Sequence, residues 1–476
     1  MEGAQGKASV LSGRAGRWAA IVLAVATGTA VALEAYAVAA VPFALAVVLW
    51  ALYHVESLLL AVVALTPLSI TLKESDFNLG LSLPGEVLLA GLTFFALVRF
   101  LHQGRLPWPI LKQPLTVVVL LQLAWMAVTV LFSEMPLVSF KAVLSRVWFL
   151  VPMYFMLGTA FERPWARQLV FPLYAFSLAV AALWTLYVHS QYGFSKETST
   201  WVMFPFYKEH TVYGMALAFV YPWSVWALTR PQSLFARLVH LGLWSLLTVA
   251  LVFSYTRAAW LSLAAAGAVY LVFAWRISAR QIALIALLGL GALWATQDQW
   301  IRVFTKNDTV SSDNFSEHIQ SASNISTDAS NLERLNRWAS ALRMWQERPH
   351  TGWGLGTYQF QYAPFQHSSQ LTIISTNAGD LGNAHSEYIG PLAEQGWPGL
   401  VLVAALLFVL FRTGSRAYRR MPQGEDRSVL LVAMLGLVTY WVHGVLNNFL
   451  DLDKGAVLVW MSAALVAWAD RDSAPK

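Results

Sequence analysis

Long apolar runs of membrane length, nearly free of charge, alternate with short polar connections through most of the chain. An α-helix needs about 20 apolar residues to cross a bilayer, so each run reads as a candidate span. The runs fall at 17–33, 35–53, 55–72, 84–102, 114–133, 138–161, 166–190, 211–229, 235–254, 257–275, 279–297, 386–411, 428–446 and 455–470. Some early runs are short enough to pair or to lie at the interface. The pattern therefore predicts an all-α, polytopic integral membrane helical bundle of about 12–14 transmembrane helices. One stretch, 298–385, breaks the alternation. Its first part, 305–331, is rich in Ser, Asn and Asp. In 331–348, Leu332, Leu335, Trp338, Leu342 and Trp345 recur at helical spacing, and Pro349 closes that helix. The expected organisation is an N-terminal transmembrane bundle over 1–297, a partly helical loop domain over 298–385 and C-terminal transmembrane helices over 386–476.

Charge sets the orientation. Arg14 and Arg17; Arg99, Arg105 and Lys112; Arg163 and Arg167; Arg230 and Arg237; Arg276 and Arg280; and the run from Arg412 to Arg427 all fall in connections on one side. The positive-inside rule makes that side cytoplasmic and the 298–385 loop extracytoplasmic, with both termini inside. The N-terminal residues lack a small-residue cleavage site and read as a cytoplasmic tail. Composition agrees: 57% of residues are hydrophobic and 12% charged, and the mean hydropathy is +0.53. The excess of six positive charges is spread over short loops and forms no stripe, which argues against a nucleic-acid partner. The absence of cysteine excludes disulfides, thiol catalysis and thiolate metal sites.

The polar residues with chemical potential crowd the extracytoplasmic ends. Arg257 opens a helix after Ser254-Tyr255-Thr256. A helix N-terminus beside an Arg fork suits a phosphate, and the competing reading is an Arg snorkelling to the interface. Lys141 and Arg146 interrupt an apolar run, either snorkelling or forming a basic wall for a lipid-linked anion. Arg334 and Arg337 project from the loop helix, on a solvated face or toward the membrane rim. Lys208 and His210 precede one span, and Asn447, Asn448, Asp451 and Asp453 mark the last outer turn; all are candidates for sugar or phosphate contact. His385, at the rim of the span from 386, is placed to act as a general base or to cap the helix start, and Glu387 either orients it or faces water. A zinc site drawing on His350, His367 and His385 lacks the usual ligand spacing, so no metal is expected.

Four local patterns occur together. Arg257-Ala258-Ala259-Trp260-Leu261 reads R-x-x-x-L, and Arg334-Leu335-Asn336-Arg337-Trp338 reads R-x-x-x-W. Pro349-His350-Thr351-Gly352-Trp353-Gly354 reads P-x-x-G-x-G. His385-Ser386, nine further residues and Gly396-Trp397-Pro398-Gly399 read H-[NSQ]-x9-G-x-x-G. In this order and setting the chain resembles the bacterial O-antigen ligase family, whose superfamily also holds O-antigen polymerases and protein O-oligosaccharyltransferases. The resemblance covers about residues 205–415. It implies glycosyl transfer at the periplasmic face of the inner membrane, from a polysaccharide on undecaprenyl diphosphate to the lipid A-core oligosaccharide, without metal, cofactor or nucleotide sugar. Arg257 would hold the diphosphate, Arg334 would assist, and His385 would activate the acceptor hydroxyl with inversion at the anomeric carbon. Within the superfamily the alternatives are an O-antigen polymerase, which takes a second lipid-linked glycan as acceptor, or a protein O-oligosaccharyltransferase. A transporter of lipid-linked glycan is the competing class, but no internal repeat is visible and the polar candidates sit at span ends rather than at the midplane.

Overall fold

The computed structural model describes residues 36–71, 82–105, 108–275, 329–371 and 382–474, with the single positions 29, 277, 280, 281 and 375. The expected spans 17–33 and 279–297, and the polar stretch up to 328, lie outside the described residues. Residues 1–59 and 60–476 form two compact units. In the first, the described chain is helical from Tyr36, within helix α1 (Tyr36–Leu65). His54 leaves helical geometry at φ −143°, ψ 49°. Ser57 Oγ bridges the break, donating to His54 O at 2.9 Å and accepting Trp50 Nε1 at 2.7 Å. The break falls between the runs 35–53 and 55–72.

The second unit is built from helices. They are α2 (Gly85–Gln103), α3 (Pro114–Val130), α4 (Pro136–Leu150, continued as a π turn over Val151–Met156), α5 (Pro164–Ser190), α6 (His210–Thr229), α7 (Leu234–Phe253) and α8 (Arg257–Ala274). After these come the loop helix α9 (Ala329–Glu347), then α10 (Ile389–Arg420), α11 (Glu425–His443) and α12 (Asp453–Asp472). The strands described are two-residue β1 (Ile70–Thr71) and β2 (Ser82–Leu83), paired antiparallel. Eight of the described helical stretches are long and apolar enough to cross a membrane, and α3 is a shorter apolar helix. Helices satisfy their own backbone groups, which is what the bilayer interior demands. The chain is an all-α, polytopic membrane protein.

Helix α12 is buried on every side from Asp453 to Asp470, and α6 and α11 are nearly so. Large apolar side chains such as Phe94, Leu101, Phe235, Leu238 and Phe408 face outward instead, as a lipid-facing surface requires. At one end of the bundle, Arg167 forks onto Asp426 at 3.0 and 2.8 Å, Arg416 onto Asp470 at 2.8 and 2.6 Å, and Arg230 reaches Glu425 at 2.5 Å. These are the cationic connections. The candidate chemistry lies at the other end. There, buried Lys454 donates to Thr66 O, to Ser69 O at 2.9 Å and to Ser69 Oγ at 2.7 Å, tying the start of α12 to the end of α1.

Candidate active site

The site is built around a break in α10. Gly396 sits at φ +70° and Pro398 has no N–H, so the carbonyls of Ala393 and Glu394 lose their helical donors. The Pro349–Gly354 turn replaces them. Trp353 N donates to Ala393 O at 3.1 Å and Gly354 N to Glu394 O at 2.8 Å, while Trp397 N donates back to Pro349 O at 2.9 Å. Trp125 Nε1 of α3 takes Gln395 O at 3.0 Å. The two backbones approach so closely that a Cβ on Gly352 would strike the Glu394 carbonyl and one on Gly396 would strike the His350 carbonyl. The P-x-x-G-x-G and G-x-x-G patterns are therefore two halves of one joint, which seats the turn after α9 on α10. Arg348 pairs with Glu134 beside it.

Just before α10, His385 adopts φ +49°, a left-handed conformation uncommon for a large side chain. Its N–H donates to Asn383 Oδ1 at 3.0 Å, which holds the turn. Ser386 Oγ accepts from Tyr388 N at 3.3 Å and Ile389 N at 3.4 Å at the start of α10. Arg337 braces the same turn from α9. It is buried, pairs with Glu333 at 2.8 Å, donates to Asn383 O at 3.2 Å and lies over the Tyr362 ring.

Glu387 neither faces water nor orients the imidazole through any described contact. It is buried, and its Oε1 accepts from Tyr440 Oη at 2.5 Å, Phe449 N at 2.6 Å and Leu450 N at 3.0 Å. Its own N–H donates to Gly444 O at 2.8 Å. Burial raises the Glu387 carboxyl above the ordinary carboxylate range, opposed by the Tyr440 hydrogen bond and the Arg146 charge. Through Glu387 the His385 turn is clamped to the turn between α11 and α12.

That turn also meets the arginines. Arg334 Nε donates to Leu446 O at 3.3 Å. Arg146, from α4, pairs with Asp451 at 2.6 Å, and Asn448 Nδ2 donates to the same carboxylate at 3.0 Å. Arg257 begins α8, and the preceding Thr256 ties it to α6 by donating to His210 O at 3.0 Å. His210 lies within electrostatic reach of both Arg257 and Arg334. Arg257, His210 and Arg334 thus lie within electrostatic reach in succession, and Arg334 touches the turn gripped by Glu387, two residues from His385. Lys141 on α4 and Lys208 before α6 are exposed and join none of these described contacts. Among the described residues, no three His, Asp or Glu side chains gather as a metal ion would need. His350 Nδ1 accepts Trp397 Nε1 at 3.0 Å in the α10 joint.

The family model described as O-antigen ligase matches residues 242–404. Over that stretch, about a third of its length, the chain is similar to the O-antigen ligase family. That similarity points to a glycosyltransferase-type enzyme working on polysaccharide and lipid substrates. The matched stretch holds Arg257, Arg334, His385 and both halves of the α10 joint. Arg146, His210 and the α11–α12 turn stand outside it and reach the site only through the fold. No curated protein matches the chain. Sequence reasoning missed His443, the last residue of α11, whose signal was a polar ring in the otherwise apolar run Tyr440-Trp441-Val442-His443.

Proposed function

We propose that this protein is an O-antigen ligase of the bacterial inner membrane, transferring O-antigen polysaccharide from undecaprenyl diphosphate to the lipid A-core oligosaccharide at the periplasmic face. The observation that carries the reading is the gathering of Arg257, His210 and Arg334 around the turn that also grips the His385 segment. These groups share one end of the bundle, opposite the cationic connections that the positive-inside rule assigns to the cytoplasm. The 298–385 loop is then periplasmic.

In this reading Arg257 and Arg334 bind the diphosphate and stabilise the charge that develops as it leaves. His385 takes the proton of the acceptor hydroxyl, which attacks the anomeric carbon from the face opposite the diphosphate and inverts it. Arg337 holds the His385 turn in place. Arg146 fixes Asp451, and Lys141 and Lys208 form a basic outer rim. A groove of about 640 Å³ between α10 and α11, lined by Leu407, Phe408, Phe411, Val438 and Trp441, meets the site end at Tyr388 and suits the polyprenyl tail. With fixed cations at the leaving group, the reaction needs no metal.

The test is donor binding and turnover with purified variants. General-base catalysis contributes about 10²–10⁴-fold, so His385→Ala should lose turnover on that scale while keeping donor affinity. Arg257→Ala should lose donor affinity as well, with part recovered by Arg257→Lys, which keeps the charge but not the planar fork. Equal loss of donor affinity in His385→Ala would make His385 a phosphate ligand, and near-normal turnover would remove the base assignment. Deletion in the source organism should leave core-lipid A without long chains while lipid-linked polymer accumulates.

A further inference from the structure

His443 is fully buried, yet both ring nitrogens lack a hydrogen-bond partner in the described structure. One edge packs against Phe449, with ring centroids 5.0 Å apart, so the ring has a fixed seat. Arg334 and His210 lie within electrostatic reach of it. Other unpaired buried atoms accompany it: Arg146 Nη1, Thr211 Oγ1, Asn447 Nδ2 and Asn448 Oδ1. Asn447 and Asn448 stand on the α11–α12 turn, Arg146 is bound to Asp451 of that turn, and Thr211 follows His210. Buried polar groups are normally paired, so orphans gathered around one turn mark a place where something polar binds. Arg146 Nη1 and Asn447 Nδ2 are obligate donors, a neutral imidazole offers one N–H, and the threonine hydroxyl can supply another. Asn448 Oδ1 and the second imidazole nitrogen are the acceptors. A set weighted toward donors, with cations beside it, fits a ligand rich in acceptor oxygens.

We propose that His443 is a phosphate-binding residue of the donor site, its imidazole donating an N–H to an oxygen of the diphosphate that joins lipid to sugar. This rests on the ligase reading only for the identity of the donor. The probe is undecaprenyl diphosphate, with undecaprenyl monophosphate for comparison, added to the full-length protein in detergent. His443→Leu should bind the diphosphate about 10- to 100-fold more weakly, the range of one hydrogen bond to a charged group. The same variant, free of two unpaired nitrogens, should melt no lower than wild type without ligand. His443→Gln retains an N–H donor and should recover part of the affinity. Unchanged affinity in His443→Leu, or a lower melting temperature with equal loss in both variants, would make the imidazole a packing element and overturn the proposal. Should His443→Leu fail to fold, the nitrogen-15 ring signals of His443, assigned by their loss in His443→Gln, decide the matter. They should shift when the diphosphate is added, and an unmoved signal overturns the proposal. Wild type that binds the diphosphate but transfers no glycan would sink the ligase reading and leave the His443 site standing. Wild type that transfers glycan with His443 unaffected by the donor would do the reverse, and wild type that does not bind the diphosphate would remove both.

Discussion

Gly396→Ala should break the joint between α10 and the turn after α9. The residue sits at φ +70°, ψ −172°, a region essentially confined to glycine, where a Cβ costs about 1–3 kcal/mol. The new methyl would also lie 2.6 Å from Pro349 O and against the His350 carbonyl, both of them backbone atoms that cannot rotate away. Relieving that clash separates the two backbones and forfeits the hydrogen bonds Trp397 N to Pro349 O, Trp353 N to Ala393 O and Gly354 N to Glu394 O. Each such bond contributes about 0.5–1.5 kcal/mol net. The expected loss is therefore about 3–7 kcal/mol, much of the margin by which a domain is stable. Thermal unfolding of the purified protein in detergent measures it, with transfer activity followed in parallel. Gly242 and Gly267 are the controls, because a Cβ there meets nothing within 4 Å and both lie within helices. Alanine at either should be neutral or stabilising by about 0.5–1 kcal/mol. A Gly396→Ala protein that melts with wild type and transfers glycan normally would show that the close approach is not needed.

The remaining expectations are brief. A cysteine at exposed Ser368, in this cysteine-free chain, should react with an impermeant thiol reagent once the outer membrane alone is permeabilised; labelling only after inner-membrane lysis would reverse the topology. Activity should survive exhaustive chelation in detergent, and loss rescued by a single divalent ion would replace the mechanism. Glu387 carries a raised carboxyl pKa, so the fold binds a proton there that the unfolded chain releases. The stability it contributes is fully present below the unfolded carboxyl's ordinary value and is lost as pH rises through the raised value. Glu387→Gln should flatten that decline of melting temperature with pH, and an unchanged slope would place the titrating group elsewhere.

The helices were legible because lipid imposes one rule on every residue it touches: apolar side chains outside and backbone bonds satisfied within the segment. The loop helix was legible for a related reason, since Leu332, Leu335, Trp338, Leu342 and Trp345 keep a helical period in a polar stretch, and it appears as Ala329–Glu347. The glycines at 352 and 354 were legible only as a local pattern. Their partner was not, because the demand for a bare Cα comes from a backbone some forty residues away. Glu387 illustrates the same limit. One carboxylate beside one histidine suggests a local pair, whereas the fold spends it on three donors more than fifty residues ahead. His443 was hidden by its neighbours: a single imidazole in an apolar helix is usually a satisfied core residue, and only the tertiary structure leaves its nitrogens unpaired.

Helix α12, buried along its whole length from Asp453 to Asp470, follows the other described helices in the chain. During synthesis the earlier helices enter the membrane around a place still vacant, and the polar turn from Gly444 to Leu452, although Glu387 and Arg146 grip it, leads into α12 and gains that covalent anchor only when α12 packs. The candidate site is therefore finished in two stages: side chains from earlier helices seize the turn, and packing of one buried helix then fixes it from below.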